Sequence, residues 1–316
     1  MSSASAITHN RVLLEKADMA LSDLLSGGDL QPAQAKKFIR LLIKESVVLN
    51  MATVRPMASK KVEVEKIRFG SRILRNGTES TPLSLADRAK PDTSKVELSA
   101  SLFKAEVHLN NEVLEDNIEQ GSLRQTVMEL MGEAVSRDME ELVVNGDTTS
   151  TDPFLATFNG LLAGATTNTV SGGTLNLVGS MLKSAIKTMP TEYVRNKKRL
   201  AFLTSVDAET DYRDTLSQRE TAGGDRFITE DVPILYSGIP LSSVPLFPEN
   251  LGPGTNTTNV LLTDPKNMMI GVWRRITMET DKDISAGVLK IVASLRFDFK
   301  YVEEPAVVKV TLVKVT

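Results

Sequence analysis

Hydrophobic positions in this chain change period several times, and each change marks an element. Over residues 10–25, Val12, Leu13, Leu14, Ala17, Met19, Ala20, Leu21, Leu24 and Leu25 recur at helical spacing, and Gly27-Gly28 stops the pattern. A second helical pattern opens at Leu30-Gln31-Pro32, where proline suits a first turn, and runs to about Met51. The two predicted helices read equally as an N-terminal arm or as surface helices of a globular body. From Val54 to His108 the period shortens to two: VEVEKIRF alternates at Val62 and Val64, and KVELSASL at Val96, Leu98, Ala100 and Leu102. Between these runs lies a polar segment with Asn76-Gly77, Pro82 and Pro91, which predicts the far end of a long two-stranded antiparallel ribbon. An isolated two-stranded ribbon is only marginally stable, so either the body or a neighbouring subunit must cover it.

The helical period returns at 122–144. Leu123, Val127, Leu130, Met131, Ala134, Val135, Met139 and Leu142 form one stripe, Ser122 with Gln125 reads as a capping box, and Asn145-Gly146 supplies a stop. At roughly 1.5 Å per residue this helix spans about 34 Å. A Thr/Gly-rich connector follows, then a helix in LVGSMLKSAIKTMP, a strand in RLAFLTS and a helix around DAETDYRDTLSQR, which together predict a mixed domain from about 175 to 270. Near its end, NVLLTDPKNMMIGVWRRITMETDKD begins as a buried strand, breaks at Asp264-Pro265 and resumes as a charged ribbon. The strands GVLKIVASLRFDFKYVEEP and AVVKVTLVKV close the chain, and no internal repeat is present.

Composition narrows the chemistry. Lys and Arg number 37 against 40 Asp and Glu, and a net charge of -3 argues against a protein whose task is to grip phosphates. With no cysteine, disulfides, thiolate metal sites and thiol nucleophiles are excluded. No signal-peptide pattern and no apolar run long enough for a membrane span is evident, so a soluble chain with no membrane partner is expected. His9 and His108 stand alone, without metal-binding spacing, and neither a metal site nor any cofactor is expected. Glu140-Glu141, Glu303-Glu304 and Asp281/Asp283 read as solvated faces or turns, and no catalytic residue is assigned. Gly223-Gly224 lacks any phosphate-loop context, so Ala222, Gly223, Gly224, Asp225 and Arg226 read as a flexible loop tip. Of the basic clusters, Arg195, Lys197, Lys198 and Arg199 precede a strand, while Arg68, Arg72 and Arg75 line the ribbon and are expected to meet acidic residues of another subunit.

The order of these elements resembles the HK97-type major capsid proteins of tailed bacteriophages over nearly the whole chain. The residues carrying the resemblance are Gly238-Ile239-Pro240, Asp264-Pro265-Lys266-Asn267, Gly271 with Arg274 and Arg275, Arg296-Phe297-Asp298, Pro305-Ala306, and NGDTTSTDPFLATFNGLL after the long helix. The resemblance implies an α+β fold of N-terminal arm (1–53), extended loop (54–107), peripheral domain (108–174) with a spine helix at 122–144, axial domain (175–270), peripheral strands (271–304) and a return strand (305–316). It implies subunit contacts through Arg68, Arg72, Arg75, Glu79, Arg88, Arg274, Arg275, Glu279, Asp281 and Asp283, and it places the 222–226 loop near the centre of a capsomer. Partners implied are further copies in hexamers and pentamers, a separate scaffolding protein, a portal protein, a decoration protein and packaged double-stranded DNA as a non-specific neighbour. The expected location is the virion capsid, assembled in the host bacterial cytoplasm. Two rivals stay open: an encapsulin-like compartment sharing the fold, and, further off, a carboxylate-dependent hydrolase.

Overall fold

The computed structural model describes residues 18–19, 46–69, 72–77, 79–80, 82–84, 86–110, 123–218, 233–252 and 256–315. Two sheets and one long helix organise them. A five-stranded sheet has the order β1-β5-β12-β11-β2, formed by β1 (Asp18–Met19), β2 (Thr53–Pro56), β5 (Ser101–Asn110), β11 (Met268–Asp283) and β12 (Val288–Tyr301). Its central pair, β11 and β12, is a long antiparallel hairpin running from Met268↔Tyr301 to Asp283↔Val288. On β12 one face is continuously buried, with Leu289, Ile291, Ala293, Leu295 and Phe297 pointing the same way, as period-two geometry requires. Against that face lies α2 (Leu123–Asn145), which contributes Met131, Val135 and Leu142 to the shared core.

A six-stranded sheet of order β6-β13-β10-β7-β9-β8 makes the second body. Its strands are β6 (Asn168–Ser171), β7 (Ala201–Thr204), β8 (Leu235–Tyr236), β9 (Ile239–Ser243), β10 (Thr257–Thr263) and β13 (Val308–Lys314). Helices α4 (Gly179–Thr188) and α6 (Val206–Ser217) bury Leu182, Ala185, Ala208 and Tyr212 in a core with Phe202, Val260, Leu262, Val308 and Val310. At the N-terminus of α6 the Ser205 hydroxyl accepts the Ala208 N–H, a serine cap worth about 1 kcal/mol. Asp264 performs the break legible in the sequence: its carboxylate accepts the Lys266 N–H, Pro265 opens one 3₁₀ turn, and the chain passes from β10 into β11.

The third sheet is the ribbon itself, β3 (Lys61–Arg68) antiparallel to β4 (Asp92–Ser99), in register from Lys61↔Ser99 to Arg68↔Asp92. Strand 101–110 pairs with β12, so the second half of KVELSASLFKAEVHLN belongs to the five-stranded sheet and not to the ribbon.

Several expectations are corrected. Asp18–Met19, expected in a helix, pairs in parallel with His108–Leu109, where the edge of β5 offers unpaired backbone groups. Apart from Asp18–Met19, the helix expected over residues 10–25 lies outside the described residues, as does the second expected helix up to residue 45; at the end of the latter, Ser46 is not helical and caps a short helix α1 (Val47–Met51), its side chain accepting the Leu49 N–H. Glu140, expected on a solvated face, is buried, because its carboxylate accepts the Val48 N–H at 2.9 Å and ties α1 to α2. The connector after α2 is not structureless. It contains α3 (Leu161–Gly164) and β6, a strand without hydrophobic alternation that is held by parallel pairing to β13. The helix at 122–144 appears as α2, while its capping box, Ser122 with Gln125, lies outside the described residues and side chains, as does loop 222–226.

Candidate subunit interface

Surfaces that a single copy leaves uncovered concentrate on the ribbon. At its base the ribbon is built into the body. Leu98 and Val64 pack with Met57, Ala100 and Met269 in a small core of their own, and Gly271 opposite them has no room for a side chain. A Cβ at Gly271 would lie 2.7 Å from Met57 Sδ and 3.0 Å from Leu98 Cδ1. The Ser99 N–H, where the ribbon joins β5, donates to the buried Asp298 carboxylate at 2.7 Å, and Asp298 also accepts the Phe299 N–H at 2.8 Å. Desolvation raises the Asp298 carboxyl above its ordinary value, with those two backbone donors opposing the shift.

Further out, Lys66 donates to the Val302 carbonyl and pairs with Glu303 at 3.0 Å, and the Arg68 guanidinium lies near the Tyr193 phenol. Burial, reinforced by Glu303 and Glu192, raises that phenol. Tyr193 and Glu303 line a cleft of about 320 Å³ with Arg195, Arg199, Asp264 and Lys266, so two arginines of the basic stretch before β7 share a cleft with Glu303, the carboxylate that Lys66 of the ribbon reaches. Arg199 pairs there with Asp264 at 2.9 Å.

Beyond Lys66 the ribbon's described apolar side chains are open to solvent. Ile67, Phe69, Ile73, Leu74 and Leu83 are exposed, Leu74 at 82%. Burying one such side chain is worth about 1.5–3 kcal/mol, so this end of the ribbon is apolar surface awaiting a cover. The outer face of the β3/β4 ladder carries Glu63 directly opposite Glu97, a like-charge pair relieved by Lys95 on Glu63 at 2.5 Å and Lys61 on Glu97 at 2.6 Å.

The residues singled out in the sequence are distributed as follows. Arg68, Arg72, Arg75, Glu79 and Arg88 are all exposed on the ribbon. Arg75 lies 3.7 Å from Asp87 of the same tip, and the Arg88 Nε donates to the Leu83 carbonyl at 3.3 Å. Arg274, Glu279 and Asp281 are exposed on β11, while the Arg275 side chain lies outside the described set. Asp283 serves its own hairpin: its carboxylate accepts from Ser285, Ala286 N and Lys290, and these donors hold its carboxyl down at about 2. Sequence reasoning missed the ribbon staples Lys66, Glu303 and Tyr193, and also the exposed apolar residues of the ribbon. The second group had a signal: Ile67, Phe69, Ile73 and Leu74 sit inside a segment otherwise read as a polar tip.

The echo at NGLL has a structural role. Gly160 lies against the end of α2, where a Cβ would approach the Val143 carbonyl oxygen to 2.4 Å and the Leu142 oxygen to 2.9 Å. Leu161 is fully buried, its carbonyl accepting the Tyr301 hydroxyl, and the Leu162 carbonyl accepts from Lys309 at 2.9 Å. Glu304 ties this connector to the terminal strands through both threonines at 166–167. Burial alone would raise its carboxyl, but those donors together hold it below its ordinary value. Among the described residues, no cluster of three metal-ligating side chains occurs and no helix is long and apolar enough to cross a membrane.

Comparison with known proteins places this architecture. The chain matches the model of the phage capsid family over residues 27–312. It is 36% identical over 309 residues to the putative prophage capsid protein YqbE of Bacillus subtilis (strain 168), covering 96% of this chain and 99% of that one. Among solved structures, the capsid of the native GTA particle superposes with a TM-score of 0.64 at 15% identity, covering 93% of this chain and 100% of that chain. The encapsulin of the holo-SrpI complex from Synechococcus elongatus PCC 7942 does so with a TM-score of 0.64 at 13% identity, covering 94% and 98%. At those identities the structural likeness speaks for the fold alone, which is the HK97-like capsid fold. The family match, extending over most of the sequence, goes further: this chain belongs to the phage capsid family.

Proposed function

We infer that the chain is the major structural subunit of a phage capsid, whose copies assemble through hexamers and pentamers into an icosahedral shell around double-stranded DNA. The observation that carries this reading is the conjunction of capsid-family sequence over residues 27–312 with a ribbon whose outer half exposes Ile67, Phe69, Ile73 and Leu74. A protein working alone gains nothing from such a projection, whereas a shell needs repeatable contacts between unlike surfaces.

On this reading residues 1–53 are the N-terminal arm, 54–107 the extended loop lying across an adjacent subunit, 108–174 the peripheral domain with α2 as its spine, 175–270 the axial domain, 271–304 further peripheral strands and 305–316 the return strand. The 222–226 loop approaches the capsomer centre. Arg68, Arg72, Arg75, Glu79 and Arg88 on the ribbon, with Arg274, Arg275, Glu279 and Asp281 on the hairpin, supply polar contacts between copies; Asp283 acts by shaping the hairpin end. Scaffolding, portal and decoration proteins are the further partners of assembly, which takes place in the host bacterial cytoplasm. The role is architectural and not enzymatic. DNA is a non-specific neighbour, since a chain of net charge -3 has little general affinity for phosphates.

The fold shared with an encapsulin keeps a protein-filled compartment as the competing reading. Sedimentation of purified particles with nuclease treatment before and after opening separates the two. The capsid reading predicts megadalton particles protecting a genome-length DNA from nuclease. Megadalton particles containing enzyme and no DNA would establish the compartment, and a small oligomer would remove both.

A further inference from the structure

The chain contains three Asn-Gly steps, Asn76-Gly77, Asn145-Gly146 and Asn159-Gly160. In each, a glycine nitrogen unobstructed by a side chain follows an amide whose carbonyl carbon it can attack. Asparagine is chemically fragile for this reason. Whether the attack takes place depends on how the fold holds the two groups, and the fold treats the three steps differently.

Two of them are locked. The Gly146 N–H donates to the Leu142 carbonyl at 2.9 Å, closing the end of α2, and the Asn145 side-chain amide donates to the Leu246 carbonyl at 3.0 Å. The Gly160 N–H donates to the Gly146 carbonyl at 2.8 Å, while Asn159 Oδ1 accepts both the backbone N–H and the hydroxyl of Thr148 at 2.9 Å. Both glycines are buried against backbone carbonyls. A nitrogen whose proton is committed to a carbonyl cannot turn onto the preceding side chain without breaking that bond and leaving a buried acceptor unpaired.

The third step is open. Asn76 and Gly77 are exposed and lie in irregular backbone, beyond the last paired residues of the ribbon, Arg68↔Asp92. Among the described residues, none hydrogen-bonds the Asn76 amide or the Gly77 N–H. A Cβ at Gly77 would meet nothing within 4 Å. Arg72, Arg75, Arg88 and Lys90 outweigh Glu79 and Asp87 along this tip, and surplus positive charge favours the anionic nitrogen that makes the attack.

We propose that Asn76-Gly77 is a site of spontaneous self-modification, at which the amide of Asn76 is converted to a carboxylate. The Gly77 nitrogen, having given its proton to solvent, bonds to the Asn76 side-chain carbonyl carbon. The bond to the amide nitrogen breaks, and that nitrogen takes up a proton and leaves as ammonia. Water then opens the resulting succinimide at one of its two carbonyls. Opening at one gives aspartate; opening at the other gives isoaspartate, whose main chain is one carbon longer. Nothing is oxidised or reduced, and the mass changes by water gained for ammonia lost. Either product places a new carboxylate beside Arg75, which now lies 3.7 Å from Asp87, so the charge of the ribbon tip changes with the age of the chain.

The test is a time course on the purified full-length chain at mildly alkaline pH, followed by peptide mapping with mass spectrometry. Hydroxylamine, which cleaves succinimides, traps the intermediate. Conversion at Asn76 is expected to exceed that at Asn145 and Asn159 by about tenfold or more, and the three rates should converge in urea. Equal rates in the folded chain, or an unchanged Asn76, would overturn the proposal. Gly77→Ala has open space for its methyl group and should fold as the parent does, yet slow the conversion by about tenfold or more, because the methyl obstructs the attacking nitrogen. Conversion as fast as in the parent would show direct hydrolysis and remove the proposed step. The same assay on particles bears on the ribbon reaching a neighbour, as inferred above, since a covered tip should convert more slowly than a free one. Equal rates in particles and free chains would remove that reading and leave the site standing; an unmodified Asn76 in free chains removes the site and leaves the reading standing.

Discussion

Gly160 shows how much one residue decides. It sits where the connector after α2 folds back on the helix end, its N–H donating to the Gly146 carbonyl at 2.8 Å. The atoms a side chain would strike are backbone carbonyl oxygens, which cannot move aside. Gly160→Ala is therefore expected to cost about 1–3 kcal/mol, the usual range for overpacking, read as a lowered midpoint in urea. Asp283 supplies a pH signature. Its carboxyl is held at about 2, below its ordinary value, so its stabilisation is complete above the unfolded value near 4 and is lost as pH falls toward 2. Asp283→Asn should lower the thermal midpoint at pH 6, and the gap from the parent should close by pH 2; a gap independent of pH would show that the carboxylate charge is not what holds the hairpin end. At this scale the sequence was only partly legible. The glycine in NGLL could be marked through resemblance, but that it rests on the carbonyls of Leu142 and Val143 depends on a return of the chain that no local pattern encodes. Glu140 was misread for the same reason: an acidic pair on a helix looks solvated until α1 brings the Val48 N–H to it.

Elements were more legible than residues, because burial writes its period into the sequence. The β12 alternation and the long α2 stripe are both visible in the chain and present in the fold. Elements held chiefly by pairing were missed. β6 has no hydrophobic alternation and is a strand because β13 offers it a parallel partner, and the β2–β11 pairing joins segments more than two hundred residues apart. The ribbon combines both cases: its base has a hidden core, while its outer half has none. Leu98→Ala, at a fully buried position, is expected to cost about 2–5 kcal/mol locally. Hydrogen exchange should accelerate in β3 and β4 and remain unchanged in α2. Equal acceleration throughout would mean that the ribbon base and the main core are one cooperative unit.

At the scale of the molecule, two bodies with separate hydrophobic cores carry a ribbon whose outer half exposes apolar side chains, a surface of little use to a monomer. Exposed ion pairs are often worth under about 1 kcal/mol each, so contacts of this kind act through repetition across many copies and weaken with salt. Particle stability is accordingly expected to fall between 0.05 and 0.5 M salt, roughly the range over which screening sets in, while the thermal midpoint of the isolated chain changes little. Light scattering and circular dichroism on the same samples check this, and parallel losses would place the salt-sensitive pairs inside the subunit. The family was legible only through the order of weak motifs along nearly the whole length, since none of them carries chemistry by itself.

The central claim is that this chain exists to build a shell. Electron microscopy of particles purified from cells producing the protein with its neighbouring genes tests that claim most directly. The account predicts icosahedral shells, or hexameric and pentameric capsomers on the way to them, with ribbons bridging adjacent copies. A homogeneous field of small discrete particles would contradict it.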